Sequence, residues 1–395
     1  MGRTLKAVYV SYDGALDPLG ASQVIPYLLG LARCGVRVRL LSFEKPDLWG
    51  REPARRMLQE QLADHDITWR PLRYHKWPRL PATLWDLFRG RRAVRAAVRE
   101  TGARLVHCRG DVAMAMARLA GLDPGVGLLY DVRGFFADER VEAGSWRRGG
   151  LLDRAVRKTE AANLARADGL VTLTGEAWAD LRERRGSGLP HAVIPTCVDV
   201  SHFRPRAETE PAAFGLVYCG SLGSQYLARE MVDFARVATE VIPGRVLFLS
   251  REGDQARGAG ASPDWAEVRS AAPNEVAGWL RQGRALFYFY RPGHSKRACY
   301  PTKLAEALAC GLPAVCNRGL SDIDELLTSE RVGVLVEDLT PEAYRGAARL
   351  LARLLEDPDT PRRCRRVAEE RLGVEHGIRA YHDLYRELLS RDPAR

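Results

Sequence analysis

Short apolar runs of strand-forming residues alternate with helical patterns along almost the whole chain, and no other feature restricts the fold as much. Strand candidates lie at 6–10, Val36–Phe43, Arg104–Cys108, Gly127–Val132, Gly169–Leu173 and His191–Ile194. They continue at Gly215–Cys219, Arg245–Ser250, Ala285–Tyr290, Pro313–Cys316 and Gly333–Val336. Helical spacing occupies 21–33, 85–99, 149–167, 226–240, 341–355 and 377–390. Short β-rich runs separated by helices predict parallel sheets covered on both faces. A chain of 395 residues with this many strands exceeds one ordinary core, so two αβα units are expected. The seam falls between Pro195 and Phe214, where a polar stretch precedes a fresh strand. The expected organisation is a first Rossmann-like domain over 1–200, a linker over 201–214 and a second Rossmann-like domain over 215–376. A last helix at 377–395 can pack on its own domain or return to the first.

Composition narrows the class. The chain is 46% hydrophobic and 28% charged, with a net charge of +10, which favours anionic partners but alone decides little. Eight scattered cysteines show no C-x-x-C spacing and no accompanying histidine cluster. A zinc site or a disulfide framework is not expected, and thiols inside strand-like runs, such as Cys108, Cys219 and Cys316, fit a reducing cytoplasm. No apolar window is long enough to span a membrane, and the first residues read as a strand.

Residues 295–313, SKRACYPTKLAEALACGLP, read as a short helix with both ends marked. Pro301 suits the first helical position, Gly311 the position past the end, and Pro313 blocks continuation. Lys296, Arg297 and Lys303 surround the start, where free amides and the positive dipole end favour phosphate. Glu306 follows one turn later as an acceptor for ribose hydroxyls.

Ligands of open α/β sheets bind at the carboxyl ends of strands. Four segments occupy such ends. The loop 11–23 offers Gly20 but lacks G-x-G-x-x-G, and a plain βα loop reads the same. His107 and Arg109 close one strand, and a structural histidine is as good a reading as a catalytic one. Asp131, Arg133, Asp138 and Glu139 follow another, as a pocket rim in which Asp138 or Glu139 could hold or deprotonate an acceptor hydroxyl. Gly220, Ser221 and Gly223 open the second domain with small residues suited to phosphate, or form a tight turn. Separately, Trp69–Arg99 carries nine Lys or Arg against the single acid Asp86, interleaved with Trp69, Tyr74, Trp77, Trp85 and Phe88. Anionic lipid suits this mixture, nucleic acid would accept it, and a solvated helix face reads alike.

Three of these stretches resemble the family-4 retaining glycosyltransferases, also called glycosyl transferases group 1, of the GT-B fold. They are "VIPTCVD" at 193–199 with Phe203 and Pro205, "CGVRV" at 34–38, and "PTKLAEALACGLPAV" at 301–315; "YDVRGFFADE" at 130–139 resembles a subgroup associated with surface polysaccharide assembly. The resemblance implies two Rossmann-like domains facing a central cleft, donor binding in the second and acceptor binding in the first. It implies donor contacts from Gly220, Ser221, Gly223, Lys296, Arg297, Pro301, Thr302, Lys303, Leu304 and Glu306. Acceptor contacts would come from Gly20, Arg109, Asp131, Arg133, Asp138 and Glu139. Lys303, Glu306, Arg297, His107 and Asp138 would carry the chemistry. Glu306 matches the second glutamate of the family's E-x7-E motif, and Ala298 stands where the first belongs.

The expected reaction moves a sugar from a nucleotide-diphospho-sugar to a hydroxyl of a saccharide or lipid-linked saccharide, with retention, no cofactor and no metal. The expected partners are donor, acceptor and an anionic membrane surface at Trp69–Arg99, with no nucleic acid. The expected location is the cytoplasm, at the inner face of the plasma membrane. The competing readings are a sugar-nucleotide epimerase or inverting transferase of the same fold, and a non-catalytic nucleotide-sugar-binding protein.

Overall fold

The computed structural model describes residues 5–186, 188–207 and 209–391. The chain divides into two compact units. One comprises Met1–Ala137, Trp146–Pro195 and Val374–Arg395, the other Asp138–Ser145 and Thr196–Gly373.

The first unit is built on a seven-stranded sheet in the order β3-β2-β1-β4-β5-β6-β7. Its strands are β1 (Leu5–Ser11), β2 (Val36–Glu44), β3 (Thr68–Arg73), β4 (Leu105–Arg109), β5 (Gly127–Asp131), β6 (Gly169–Thr172) and β7 (His191–Val193). The second unit has six strands in the order β10-β9-β8-β11-β12-β13. These are β8 (Phe214–Cys219), β9 (Arg245–Leu249), β10 (Ala266–Arg269), β11 (Gly283–Tyr288), β12 (Ala314–Asn317) and β13 (Gly333–Val336). Every strand pair in both sheets is parallel. Both sheets run outward from their first strand and then restart on its other side. Each therefore has a topological switch, at β1/β4 and at β8/β11, where loops part at the carboxyl ends.

Central strands β4 and β8 are buried at every residue, which is why they read as continuous apolar runs. The sequence pattern misses β3 and β10, the two edge strands on one side. β3 alternates exposed and buried residues and contains Pro71, and β10 is only partly buried. Edge strands lack one neighbour and carry the polar residues and proline that central strands exclude.

The unit boundaries differ from those expected. The terminal helix begins at Val374 and groups with the first unit, with Tyr381 and Tyr385 buried there. The stretch expected as a linker belongs to the second unit. Arg365 fastens it by donating to the carbonyls of Val200 at 2.9 Å and Phe203 at 2.7 Å, and to that of Ala309 at 2.9 Å. Asp138–Ser145 also belongs to the second unit. Glu142 there accepts from the Ser295 amide at 3.0 Å and from the Ser295 hydroxyl.

All eight cysteines are free thiols. Among the described residues no helix is long and apolar enough to cross a membrane.

The loop after β1 folds onto itself. The amides of Ala15 and Leu16 donate to Glu44 at 2.8 and 3.2 Å. Gly20 is buried in the helix Pro18–Gln23, and a Cβ there would lie 2.0 Å from the Gly14 carbonyl oxygen. Gly20 is thus a packing residue, which corrects its expected acceptor role: the close approach is to its own loop. Gly20→Ala should cost about 1–3 kcal/mol through overpacking, measured as a lower midpoint in chemical denaturation.

Candidate active site

In the second unit the switch between β8 and β11 gathers residues from four segments. β8 ends at Cys219 and the chain turns at Gly220, whose φ is +131°. A Cβ at Gly220 would sit 2.8 Å from Lys303 Nζ and 3.1 Å from its Cε. Glycine is needed here for both reasons. The expected Gly220 turn and the expected cationic helix therefore meet.

Lys303 lies in the first turn of the helix Thr302–Ala309 and is buried. Its ammonium is 4.0 Å from the ring centroid of Tyr226 and 4.3 Å from that of Tyr218, and donates to Tyr218 Oη at 3.2 Å. Burial works against the ammonium, but the oxygens of Tyr226 and Tyr218 outweigh it and raise its pKa. Lys296, in the 3-10 turn His294–Ala298, is buried too. It donates to Gln225 Oε1 and lies 5.4 Å from the Tyr290 ring. Among the described residues neither lysine has a carboxylate at ion-pair distance; their close partners are amide and phenol oxygens and ring faces.

Glu306 follows Lys303 by one turn, half-buried, and its carboxylate makes no hydrogen bond among the described residues. Burial pushes its pKa up to about 7, with the Lys303 charge pulling the other way. Ala298 is fully buried at the close of the 3-10 turn.

The surrounding loops are firmly held. Asn317, at the end of β12, accepts from the Tyr290 amide at 2.8 Å and donates to its carbonyl at 3.0 Å. The hydroxyls of Tyr290 and Tyr226 are 2.8 Å apart. The Ser221 hydroxyl and the Leu222 amide both donate to Glu252 Oε2 at 2.8 Å, and the Gly223 amide donates to Ser221 Oγ at 3.1 Å. Those donors, expected to face phosphate, are already turned to a carboxylate.

Pro301 is the N-cap rather than the first helical residue, with φ −69° and ψ 127°. Gly311 has φ +79°, the left-handed conformation expected past the helix end. Leu304 is fully buried and its amide donates to the Pro301 carbonyl at 3.1 Å. It is a core residue, which corrects its expected donor contact. Thr302 and Arg297 are half-buried at the same end of the helix. Asp138 is buried and Glu139 half-buried, and both lie in the second unit rather than the first.

In the first unit a buried network occupies the ends of β4 and β5. Asp131 accepts from Tyr381 Oη at 3.0 Å, His107 Nε2 at 3.3 Å and Arg133 Nη1 at 3.4 Å, with Arg109 Nη1 at 3.7 Å. Burial would raise its pKa. The Arg133 charge, the His107 hydrogen bond and the Arg109 charge outweigh burial and hold it well below the carboxylate range. His107 is fully buried, and burial lowers its pKa. Its Nδ1 accepts from Tyr385 Oη at 2.7 Å while Nε2 donates to Asp131. Both ring nitrogens are engaged, so His107 braces the terminal helix and is not a free base or acid. This corrects its expected catalytic role. Arg109 is buried with Nε and Nη1 making no hydrogen bond.

Sequence reasoning missed Tyr218, Tyr226, Tyr290, Gln225, Asn317, Glu252 and Glu142. Asn317 and Glu252 could have been found from their places just past apolar strands; the tyrosines read as ordinary core. Among the described residues no group of three or more His, Cys, Asp or Glu is arranged to hold a metal ion. A groove of about 870 Å³ on the second unit, lined by Arg206, Arg284, Pro313 and Arg365, begins at Cys310 just past the Thr302–Ala309 helix and shares no residue with this cluster.

Two parallel sheets of this order, each with a switch point, define a two-unit α/β protein, and the family matches give the class. Residues 26–197 match the profile of a glycosyl transferase 4-like domain, and residues 243–384 that of a glycosyl transferase-like domain. The chain belongs to the family-4, group 1 glycosyltransferases and is an enzyme of the GT-B fold. No curated protein matches it. Among solved structures it is similar to sucrose-phosphate synthase from Thermosynechococcus elongatus (TM-score 0.69, 17% identity, 98% of this chain and 99% of that one). It is also similar to a glycosyltransferase from Rickettsia africae (TM-score 0.69, 10% identity, 99% and 100% covered). A third is Anabaena HepE in complex with UDP-glucose (TM-score 0.65, 14% identity, 98% and 99% covered).

Two stability predictions follow from the burial of charge. Glu306 prefers its protonated form in the fold, so its contribution worsens as pH rises from the ordinary glutamate value of 4.5 through about 7. Glu306→Gln should therefore raise stability at pH 8, by up to about 3 kcal/mol, and do little at pH 4, measured by urea denaturation at both values. Asp131→Asn leaves Arg109 and Arg133 without their carboxylate and should cost about 3–5 kcal/mol at neutral pH, measured the same way.

Proposed function

We propose that the enzyme is a retaining glycosyltransferase. It transfers a sugar from a nucleotide-diphospho-sugar to a hydroxyl of a saccharide or lipid-linked saccharide during surface polysaccharide or glycoconjugate assembly. The observation that carries the donor half is the buried pair Lys303 and Lys296, whose close partners are neutral. Two desolvated cations at a strand-end switch favour a dianionic ligand. The complex of HepE with UDP-glucose makes a uridine diphosphate sugar the first donor to try.

In this reading the diphosphate oxygens accept from Lys303, Lys296 and Arg297 and from the amides of Thr302 and Lys303. Glu306, as carboxylate, accepts from the ribose. Gly220 keeps the ligand close to the Lys303 ammonium, while Ser221 and Gly223 shape the loop through Glu252. The bond between the anomeric carbon and the diphosphate oxygen breaks, and its electron pair stays on the diphosphate. Fixed cations help most where that charge grows. The acceptor hydroxyl bonds to the same face of the anomeric carbon, and its proton passes to the departing diphosphate oxygen. Asp138 and Glu139 are the candidates to orient that hydroxyl, and Arg109 and Arg133 to position the acceptor. No metal is required. The free thiols suit a reducing compartment, the cytoplasm.

Lys303→Met should lower kcat/KM for transfer about 10²–10³-fold and abolish the rise in melting temperature given by UDP-sugars. An unchanged kcat/KM and an unchanged melting shift would overturn the donor assignment. Proton NMR of the product should show the donor's anomeric configuration. An inverted product would refute retention, and an epimerised donor without a glycoside would favour the epimerase reading. Donor affinity should fall as pH drops through about 7, where Glu306 gains its proton, and Glu306→Gln should flatten that dependence in isothermal titration.

A further inference from the structure

We propose that the exposed face of the helix Arg79–Thr101, together with Trp77 just before it, docks the protein onto an anionic lipid bilayer. This surface lies in the first unit and is independent of the donor chemistry.

One side of the helix is fixed. Ala82, Asp86, Gly90, Ala93, Val94, Ala97 and Val98 are buried. At Gly90 the packing is close enough that a Cβ would lie 2.3 Å from the Met116 sulfur. The other side presents apolar groups to solvent. Trp77, Leu80, Leu84 and Trp85 are 79%, 59%, 57% and 52% exposed. Scattered exposed hydrophobes need no explanation, but four within nine residues do. Trp77 stands exposed two residues before the helix, and spacings of four place Leu80 with Leu84, and Pro81 with Trp85, along one outward stripe. Phe88 continues it, its ring stacked with Trp85 at 5.9 Å.

Cations border the stripe at both ends. Arg73, Lys76 and Arg79 are exposed before it, and Arg91, Arg92, Arg95 and Arg99 after it. The guanidiniums of Arg91 and Arg92 lie 4.9 and 4.1 Å from the Phe88 ring, which joins the charged and apolar parts into one surface. Of the two acids on the helix, Glu100 lies at its far end and pairs with Arg39 at 2.9 Å, and Asp86 adds no charge outside. Asp86 is fully buried and accepts from Tyr12 Oη at 3.0 Å, from the His75 amide at 3.0 Å and from His75 Nδ1 at 2.6 Å.

The chemistry selects the partner. Tryptophan, leucine and phenylalanine beside arginine match the acyl–headgroup boundary, with rings and aliphatic groups below and guanidiniums at the phosphates. A nucleic acid would satisfy the arginines but leave Leu80 and Leu84 without apolar partners. A second copy would set like charges against each other. A bilayer rich in anionic headgroups satisfies both halves of the surface.

The test is flotation of the full chain with vesicles of phosphatidylcholine alone or with 30% phosphatidylglycerol, roughly a physiological anionic fraction. The wild type should float with the anionic vesicles at low salt and remain unbound with the neutral ones. High salt should weaken the binding. Trp77→Ser/Leu80→Ser/Trp85→Ser and, separately, Arg91→Glu/Arg92→Glu should each lower the partition coefficient at least about tenfold. Melting temperature and UDP-sugar binding should not change, since these side chains are exposed. Failure of the wild type to float, or flotation of both variants like the wild type, would overturn the proposal. So would oligonucleotide retention lost with the charge pair while flotation persists, or a dimer seen by light scattering that only the apolar triple dissolves while leaving flotation intact.

Discussion

Two lysine ammoniums, buried at one strand-end switch and without an ion-paired carboxylate among the described residues, are the constraint around which the second unit is organised. A buried cation is costly unless oxygens or π faces replace its water. Lys303 obtains these from Tyr218 and Tyr226, and Lys296 from Gln225 and Tyr290. Those partners come from β8, from the loop after it and from the end of β11, so holding the charges fixes the loops. Tyr226 and Tyr290 bond to each other, and Asn317 clamps the Tyr290 backbone from β12. Gly220 completes the arrangement because any side chain there would meet the Lys303 ammonium.

The first unit has the same strand order at its switch but treats charge differently. Arg109, Arg133 and a neutral His107 surround one carboxylate, Asp131, and Tyr381 and Tyr385 from the terminal helix complete the set. That network is mostly satisfied and ties the last segment of the chain to β4 and β5. Satisfied buried polar networks add rigidity and specify one packing. The contrast is why the geometry favours a bracing role for the strand-end histidine and makes the lysine in the short helix the better functional candidate. What separates them is whether their partners are already supplied by the fold.

The period of the pattern made most of the architecture legible. The buried central strands read as apolar runs because parallel sheets cover both faces, while β3 and β10 were hidden by their edge positions. At the site, Lys303, Lys296, Glu306 and Gly220 were readable because capping glycine, proline and clustered cations are local signals. Tyr218, Gln225 and Asn317 were not, since their roles arise from contacts made across the sheet. The segment 138–145 was misplaced for a similar reason: nothing local announces that Glu142 bonds to Ser295.

The excess of base that the composition shows has no single meaning, because environment decides what each charge can do. At the surface, water and salt screen an arginine, and it acts mainly when many gather beside apolar groups, as along the Arg79–Thr101 helix. Inside the first unit, Arg109 and Arg133 stand against Asp131, and most of their field is spent within the fold. Inside the second, the hydrogen-bond and ring partners of Lys303 and Lys296 among the described residues are neutral, in surroundings of low polarity where their field reaches furthest. Glu306, drawn toward neutrality by the same burial, offsets little of that field near pH 7. The positive potential at this switch is thus a consequence of packing, since burial both excludes water and draws the neighbouring carboxylate toward its neutral form. A diphosphate is the ligand proposed for such a place because it would supply the missing negative charge.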